Sequence, residues 1–256
     1  MTEADLLDPA VLLGAAAIMF LGGFVKGVVG FALPMVAVAG IGSFATAQQT
    51  LALLILPIFL SNLWQTLRQG FGPAVETGRR FWKMIAILAV LIALVAQIVP
   101  GLAPEVMFLA LGSIVSLAAM LQLAGWRPVA PRGRGARLAV ELATGVVAGI
   151  CGGLSGVWGP PVVFFLVSLQ LARTDMMRAQ GLTYFVGACV LLGAHLGSGL
   201  ANAETLPLSA LMCVPAAVGM GVGLRLQDRL DPDRFRRAIL VVLCLAGLNL
   251  LRRGLV

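Results

Sequence analysis

Lys26 is the one cation of this chain that lies far from any loop. It sits inside an apolar stretch, in the run Gly22-Gly23-Phe24-Val25-Lys26-Gly27-Val28-Val29-Gly30. A related run, Cys151-Gly152-Gly153-Leu154-Ser155-Gly156-Val157-Trp158-Gly159, stands 129 positions further on (151 − 22 = 129), half of the 256-residue length. Glycine permits positive φ and close backbone approach, so the chain is expected to break helical geometry at Lys26–Gly27 and at Ser155–Gly156. The arm after each break would present a helix N-terminus, whose free N–H groups and dipole favour an anion. Paired, Gly-interrupted apolar segments in corresponding halves point to a transporter's substrate site. The chemistry implied is anion binding by Lys26, Gly27 and Gly30 of the first run and by Ser155, Gly156, Val157, Trp158 and Gly159 of the second. Competing readings are a Lys26 that snorkels or pairs with a carbonyl, and glycines that serve close helix packing.

Two further polar groups fall on one helix face each. Asn62 and Gln65 are three apart in the patch Ser61-Asn62-Leu63-Trp64-Gln65 of an otherwise apolar segment, and residues at that spacing are neighbours. Gln180 and Tyr184 are four apart, near Thr183 and His195. Asn62, Gln65 and Tyr184 are therefore candidate cavity donors, with interhelical hydrogen bonding as the rival role. His195, the single histidine, is expected to pack rather than relay protons. Glu141 is four from Arg137, the spacing of an ion pair.

These residues need a scaffold, and composition names it. The chain is 60% apolar and 11% charged, with a mean hydropathy of +1.00, against an apolar share of about 45–50% in soluble domains. It reads as a polytopic membrane protein. The formal charge of +7 would suit nucleic acid on a soluble protein, but here it sits in short loops and reads as topology, so no nucleic-acid partner is expected. Cys151, Cys189, Cys213 and Cys244 lie in apolar segments without C-x-x-C spacing, so neither a disulfide framework, a metal site nor another cofactor is expected. The first ten residues carry Glu3, Asp5 and Asp8 but no Lys or Arg; the basic opening of a signal peptide is missing, and the first apolar run is expected to stay.

Apolar segments fall at about 9–44, 50–67, 82–100, 104–125, 138–171, 180–201, 206–224 and 235–251. A crossing needs roughly 20 residues. Six segments fit one crossing; the first and fifth are too long for one and, divided at Lys26 and Ser155, give arms of about 16–18 residues. Treating both as hairpins puts loops 68–83, 126–137, 171–179 and 225–234 inside and both termini outside, as the positive-inside rule asks; only Arg252 and Arg253 are misplaced. The expected fold is all-α and polytopic: two inverted repeats, 1–128 and 129–256, each a broken or re-entrant helical hairpin plus three transmembrane helices. Trp82 and Trp126 are expected at the membrane interface, and Gly14 and Gly112, in ordinary helix, are expected to tolerate alanine.

The motifs G-G-F-V-K-G-V-V-G-F and G-G-L-S-G-V-W-G-P-P, with S-N-L-W-Q in the next helix, resemble the TauE/SafE family, bacterial inner-membrane exporters of sulfite and organosulfonates. The resemblance covers nearly the whole chain in length, halves and motif placement. It implies a bacterial inner-membrane transporter of a sulfur-containing anion; the residues alone lead only to an anion. The combined expectation is a non-enzymatic exporter of sulfite, sulfoacetate or another organosulfonate working by alternating access, with a small anion and the bilayer as partners. An anion channel is the nearer alternative. A membrane-embedded enzyme is the more distant one, since no nucleophile–base pair or metal cluster has recognisable spacing.

Overall fold

The computed structural model describes residues 8–125, 132–227 and 231–255. Within them the chain forms ten helices: α1 Pro9–Val29, α2 Leu33–Ile41, α3 Ala47–Leu67, α4 Phe71–Ala96, α5 Pro104–Leu123, α6 Arg134–Ser155, α7 Gly159–Ser168, α8 Arg173–Gly197, α9 Thr205–Leu226 and α10 Pro232–Leu255. Among the described residues the protein is all-helical, with eight helices long and apolar enough to cross a membrane. The other two, α2 and α7, have 9 and 10 residues. At 1.5 Å per residue each covers about half of a ~30 Å hydrocarbon core.

The hairpin arms are unequal, which corrects the expected division. Lys26 does not break α1; nothing in a lysine opposes helix, and the helix runs on to Val29. The turn comes at Gly30, in the left-handed region at φ 85°, whose N–H donates to the Lys26 carbonyl; Ala32 at φ 81° follows, and Pro34 lies in the first turn of α2. Next to α6 the same order recurs: Gly156 at φ 68° donates to the Gly152 carbonyl, and Pro160 and Pro161 open α7. Proline suits this position, where a helix N–H has no partner. The two turns therefore correspond as Gly30 with Gly156 and Pro34 with Pro160, a shift of 126 (156 − 30 and 160 − 34). The shift of 129 was one helical turn out of register.

Four interfaces dominate: α1 with α9, α4 with α6, α5 with α10, and α3 with α8; α3 also packs on α9 and α4 on α8. Exchanging each helix with the one five places along maps this set onto itself. Glycines set the closest approaches. Gly23 and Gly27 of α1 face Gly219 and Gly223 of α9, and a methyl at Gly27 would lie 2.5 Å from the Met220 carbonyl oxygen. This is small-residue packing across two helices running the same way. Gly27 thus holds α1 against α9 and takes no part in the turn, contrary to its assignment as a site residue. Gly112 is likewise no tolerant position, since a methyl there would sit 2.7 Å from the Leu251 backbone nitrogen; Gly14, 3.7 Å from the Phe44 ring, fits expectation.

The directions of the pairs follow from which residues meet. Gly181 meets Gln65 and Thr66 while Phe185 stacks near Phe59, so α3 and α8 are antiparallel. Gly254 meets Glu105 and Gly247 meets Ser116, so α5 and α10 are too. Pro57 inside α3 leaves the Leu53 carbonyl without its helical donor; the Ser209 hydroxyl of α9 donates to it at 3.0 Å and accepts from Leu56 N–H at 3.1 Å. Neighbouring hydroxyls repair a proline-interrupted membrane helix in this way.

These directions bring Arg68, Arg79, Arg80, Lys83, Arg134, Arg137 and Arg225 to one face and Asp8, Glu105 and Glu204 to the other. Several residues expected in loops lie in helix instead: α4 starts at Phe71 and α8 at Arg173. Residues 126–131, which contain Trp126 and the boundary after residue 128, and residues 228–230 lie outside the described residues. Arg253, at the acidic face, donates to the Gly42 and Ala45 carbonyls and stands 4.3 Å from the Phe108 ring centroid. Its charge is held by protein groups, which explains its place on the wrong side. Glu141 is buried and makes no ion pair with Arg137 among the described residues; it lies one turn before Gly145, on the face of α6 that meets α4.

Candidate functional site

Lys26 lies on the last turns of α1 with only 3% of its surface exposed. Its Nζ donates to Oδ1 of Asn62, which is 1% exposed on α3. Thr66 holds that stretch of α3 by donating to the Asn62 carbonyl at 2.8 Å. Among the described residues no carboxylate pairs with Lys26; the ion pairs there are Arg178–Asp175 and Arg234–Asp231. A buried ammonium answered by one neutral side chain retains donors for an anion.

Next to it, Gln65 braces the turn. Its Nε2 donates to the Gly30 and Met177 carbonyls, each at 3.1 Å. Gln180 approaches from α8, with Oε1 3.3 Å from where a Gly30 methyl would stand. Gln65 Oε1 and Gln180 Oε1 are both buried without a hydrogen-bond partner among the described residues. Gln65 therefore positions the turn with its amide hydrogens, and only its oxygen is free.

At the second turn, Ser155 donates to the Cys151 carbonyl at 2.6 Å and accepts from Val157 N–H at 3.1 Å. Gly156 N–H is taken by Gly152. The donors expected from Ser155–Val157 are consumed locally, and those at Lys26–Val28 lie within α1. The unpaired backbone donors lie later, at the first turns of α2 and α7, where intrahelical partners are missing. Pro34, Pro160 and Pro161 remove some of them, leaving Leu33, Met35 and Gly159. Tyr184 donates to the Gly159 carbonyl at 3.1 Å, and the buried Trp158 fills the angle between Gly152 and Gly187.

Two cavities meet at Lys26. The larger, about 260 Å³, is lined by Lys26, Gly30, Gln65, Arg68, Gln69 and Gln227 among others, and reaches the basic face. The smaller, about 20 Å³, lies between the two breaks and is lined by Lys26, Phe31, Asn62, Val157, Trp158 and Tyr184 among others. A space of that size holds about one water. The structure thus brings together Lys26, Asn62, Val157, Trp158, Gly159 and Tyr184 around one point. Gly30 and Gln65 lie just behind it, Ser155 and Gly156 support the second turn, and Gly27 is elsewhere. Arg68, Gln69, Thr174 and Gln227 were not among the expected site residues; they are helix-end polar groups, and sequence marks such residues as topology signals.

The profile of the sulfite exporter TauE/SafE family matches residues 15–250. The chain belongs to that family. This makes it a multi-pass membrane protein of a transporter family, and the TauE/SafE match spans both breaks and all ten helices. No curated protein and no solved structure matches the chain. Among the described residues no cluster of three His, Cys, Asp or Glu is placed to hold a metal. The histidine, His195, is buried with neither ring nitrogen bonded to a described protein group, and it lines neither cavity at Lys26.

Proposed function

We propose that this protein exports a small sulfur oxyanion, sulfite or a short organosulfonate, across the bacterial inner membrane by alternating access of two inverted repeats. The carrying observation is the position of Lys26: a buried ammonium without a carboxylate partner among the described residues, standing between a vestibule of about 260 Å³ on the basic face and a cavity of about 20 Å³ between the breaks. By the positive-inside rule the basic face is cytoplasmic. The vestibule then faces the cytoplasm, and the conformation is one that loads substrate from inside.

The antiparallel packing of α3 on α8 and α5 on α10, with α1–α9 mirrored by α4–α6, supports halves of opposite orientation. In the binding step an oxyanion displaces Asn62 as the partner of Lys26 and takes further hydrogen bonds from Asn62 Nδ2 and the first-turn N–H groups of α2 or α7. The small cavity is too tight for a four-atom anion, so passage needs the two breaks to part on the far side while the vestibule closes. That favours a carrier over an open pore. Outward movement of one negative charge gains about 2.3 kcal/mol per 100 mV with the cytoplasm negative, so export proceeds without a coupling ion.

Counterflow in proteoliposomes separates the readings. A carrier loaded with unlabelled sulfite accumulates external radiolabelled sulfite transiently and saturates. A linear, non-saturating flux without counterflow contradicts alternating access.

A further inference from the structure

A third cavity, of about 970 Å³, runs between α3 and α9, lined by Pro57, Leu60, Trp64, Arg68, Val214 and Gly221 among others. Its walls are apolar, and Leu60, Trp64 and Val214 are strongly exposed, Trp64 at 60%. The groove therefore opens sideways, toward the bilayer. It extends from Pro57 and Cys213, near the helix middles, to Arg68 and Leu224 at the basic face. Eleven residues of helix rise about 16 Å, the depth of one leaflet of a ~30 Å hydrocarbon core. At its outer end stands Arg68, exposed, its guanidinium without a hydrogen bond or ion pair among the described residues, beside the amphipathic Trp64 ring, a residue type favoured at the headgroup level.

We infer that this groove is a binding site for an anionic phospholipid of the leaflet on the basic face, with one acyl chain between α3 and α9 and the phosphate on Arg68. Length, apolar walls and a single unpartnered cation at the end match that one occupant. Trp64, Arg68, Met220 and Leu224 also line the vestibule that leads to Lys26. A lipid seated there forms part of the vestibule wall, so its presence affects how readily the mouth closes. The site does not depend on which anion is carried or on its direction.

The test measures lipids retained by the purified protein in nanodiscs of equal phosphatidylglycerol and phosphatidylcholine, by native mass spectrometry, alongside sulfite binding. Wild type is expected to retain phosphatidylglycerol preferentially, and Arg68→Gln to reduce that preference about fivefold, the weight of one basic side chain at an anionic surface. Gly221→Phe, where the added side chain meets open space in the groove, is expected to lower retention of both lipids with folding intact. Equal retention by wild type, an Arg68→Gln preference like wild type, or full retention by Gly221→Phe overturns the inference. So does tightening of alkanesulfonate binding with chain length that Gly221→Phe abolishes, since the groove would then belong to the substrate. Sulfite binding that fails in every variant and in wild type contradicts the proposed transport function and leaves the lipid result standing.

Discussion

Gln65 and Leu191 occupy equivalent places against the two turns. Gln65 of α3 reaches Gly30, and Leu191 of α8, 126 positions later, lies 3.7 Å from where a Gly156 methyl would stand. The same shift pairs Leu54, beside Gly156, with Gln180, beside Gly30. At the first turn these two equivalent contacts are polar, with Met177 as a third and apolar neighbour, while at the second all three neighbours, Leu54, Ile58 and Leu191, are apolar, so two similar frames hold one site, displaced toward Lys26. Replacing Gln65 by Leu copies the second turn into the first. It strips the Gly30 carbonyl, whose helical donor position is taken by Pro34, of the Gln65 amide, and a buried unsatisfied group costs about 1–3 kcal/mol. Gln65→Leu is expected to lower the thermal midpoint in detergent and weaken sulfite binding, whereas Leu191→Met is expected to change neither.

Gly27 and Gly30 separate two roles that look alike in sequence. Gly27→Ala pushes a methyl against the α9 backbone, and such overpacking costs about 1–3 kcal/mol; reduced stability and yield are expected. Gly30→Ala meets only flexible side-chain ends but is held at φ 85°, a strain of about 1–3 kcal/mol for a non-glycine residue. Folded Gly30→Ala protein with impaired transport is expected. Thermal unfolding and efflux, measured on both variants and on Gly14→Ala as the neutral control, check the distinction.

The long apolar segments and the two interruptions were legible because each is costly in a bilayer, where backbone polar groups and charge have to be answered nearby; that Asn62 answers Lys26 was not, because it depends on how α1 sits against α3. Register was not legible from glycine, because close packing and turning use the same residue. Proline carried the missing signal. Pro34 follows Gly30 by four, as Pro160 follows Gly156 by four, and the first turn is where a helix accommodates proline without losing a hydrogen bond. Gln180 was visible as the partner of Tyr184 on one face, but not that it meets the other half's turn. That contact depends on the antiparallel seating of α3 on α8, which no local pattern encodes.

Accessibility tests the opposed halves. In a background with the four native cysteines replaced, Cys at positions 69 and 227 is expected to react with an impermeant thiol reagent only from the cytoplasmic side, and Cys at positions 105 and 204 only from outside. The first two flank the vestibule and the last two lie on the acidic face. Labelling of positions 69 and 204 from the same side contradicts the inverted arrangement.

Arg178 of α8 ties α4 and the α3–α4 turn together at the mouth of the vestibule, donating to Thr77 of α4 at 2.8 Å, to Gln69 of the turn at 3.0 Å and to Asp175 of its own helix at 2.6 Å. Arg178→Lys keeps charge and loses the fork that reaches all three. Slower efflux with little change in sulfite affinity is expected, and a proportionate loss of affinity would instead place Arg178 at the anion.

Sulfite binding to purified Lys26→Gln, compared with wild type by calorimetry, tests the central claim most directly. The substituted amide can still bond Asn62, so folding is expected to persist, while a charge-assisted contact of about 1.5–3 kcal/mol is lost. The account predicts affinity weakened by roughly ten- to 150-fold. A well-folded Lys26→Gln protein that binds sulfite as tightly as wild type would contradict it.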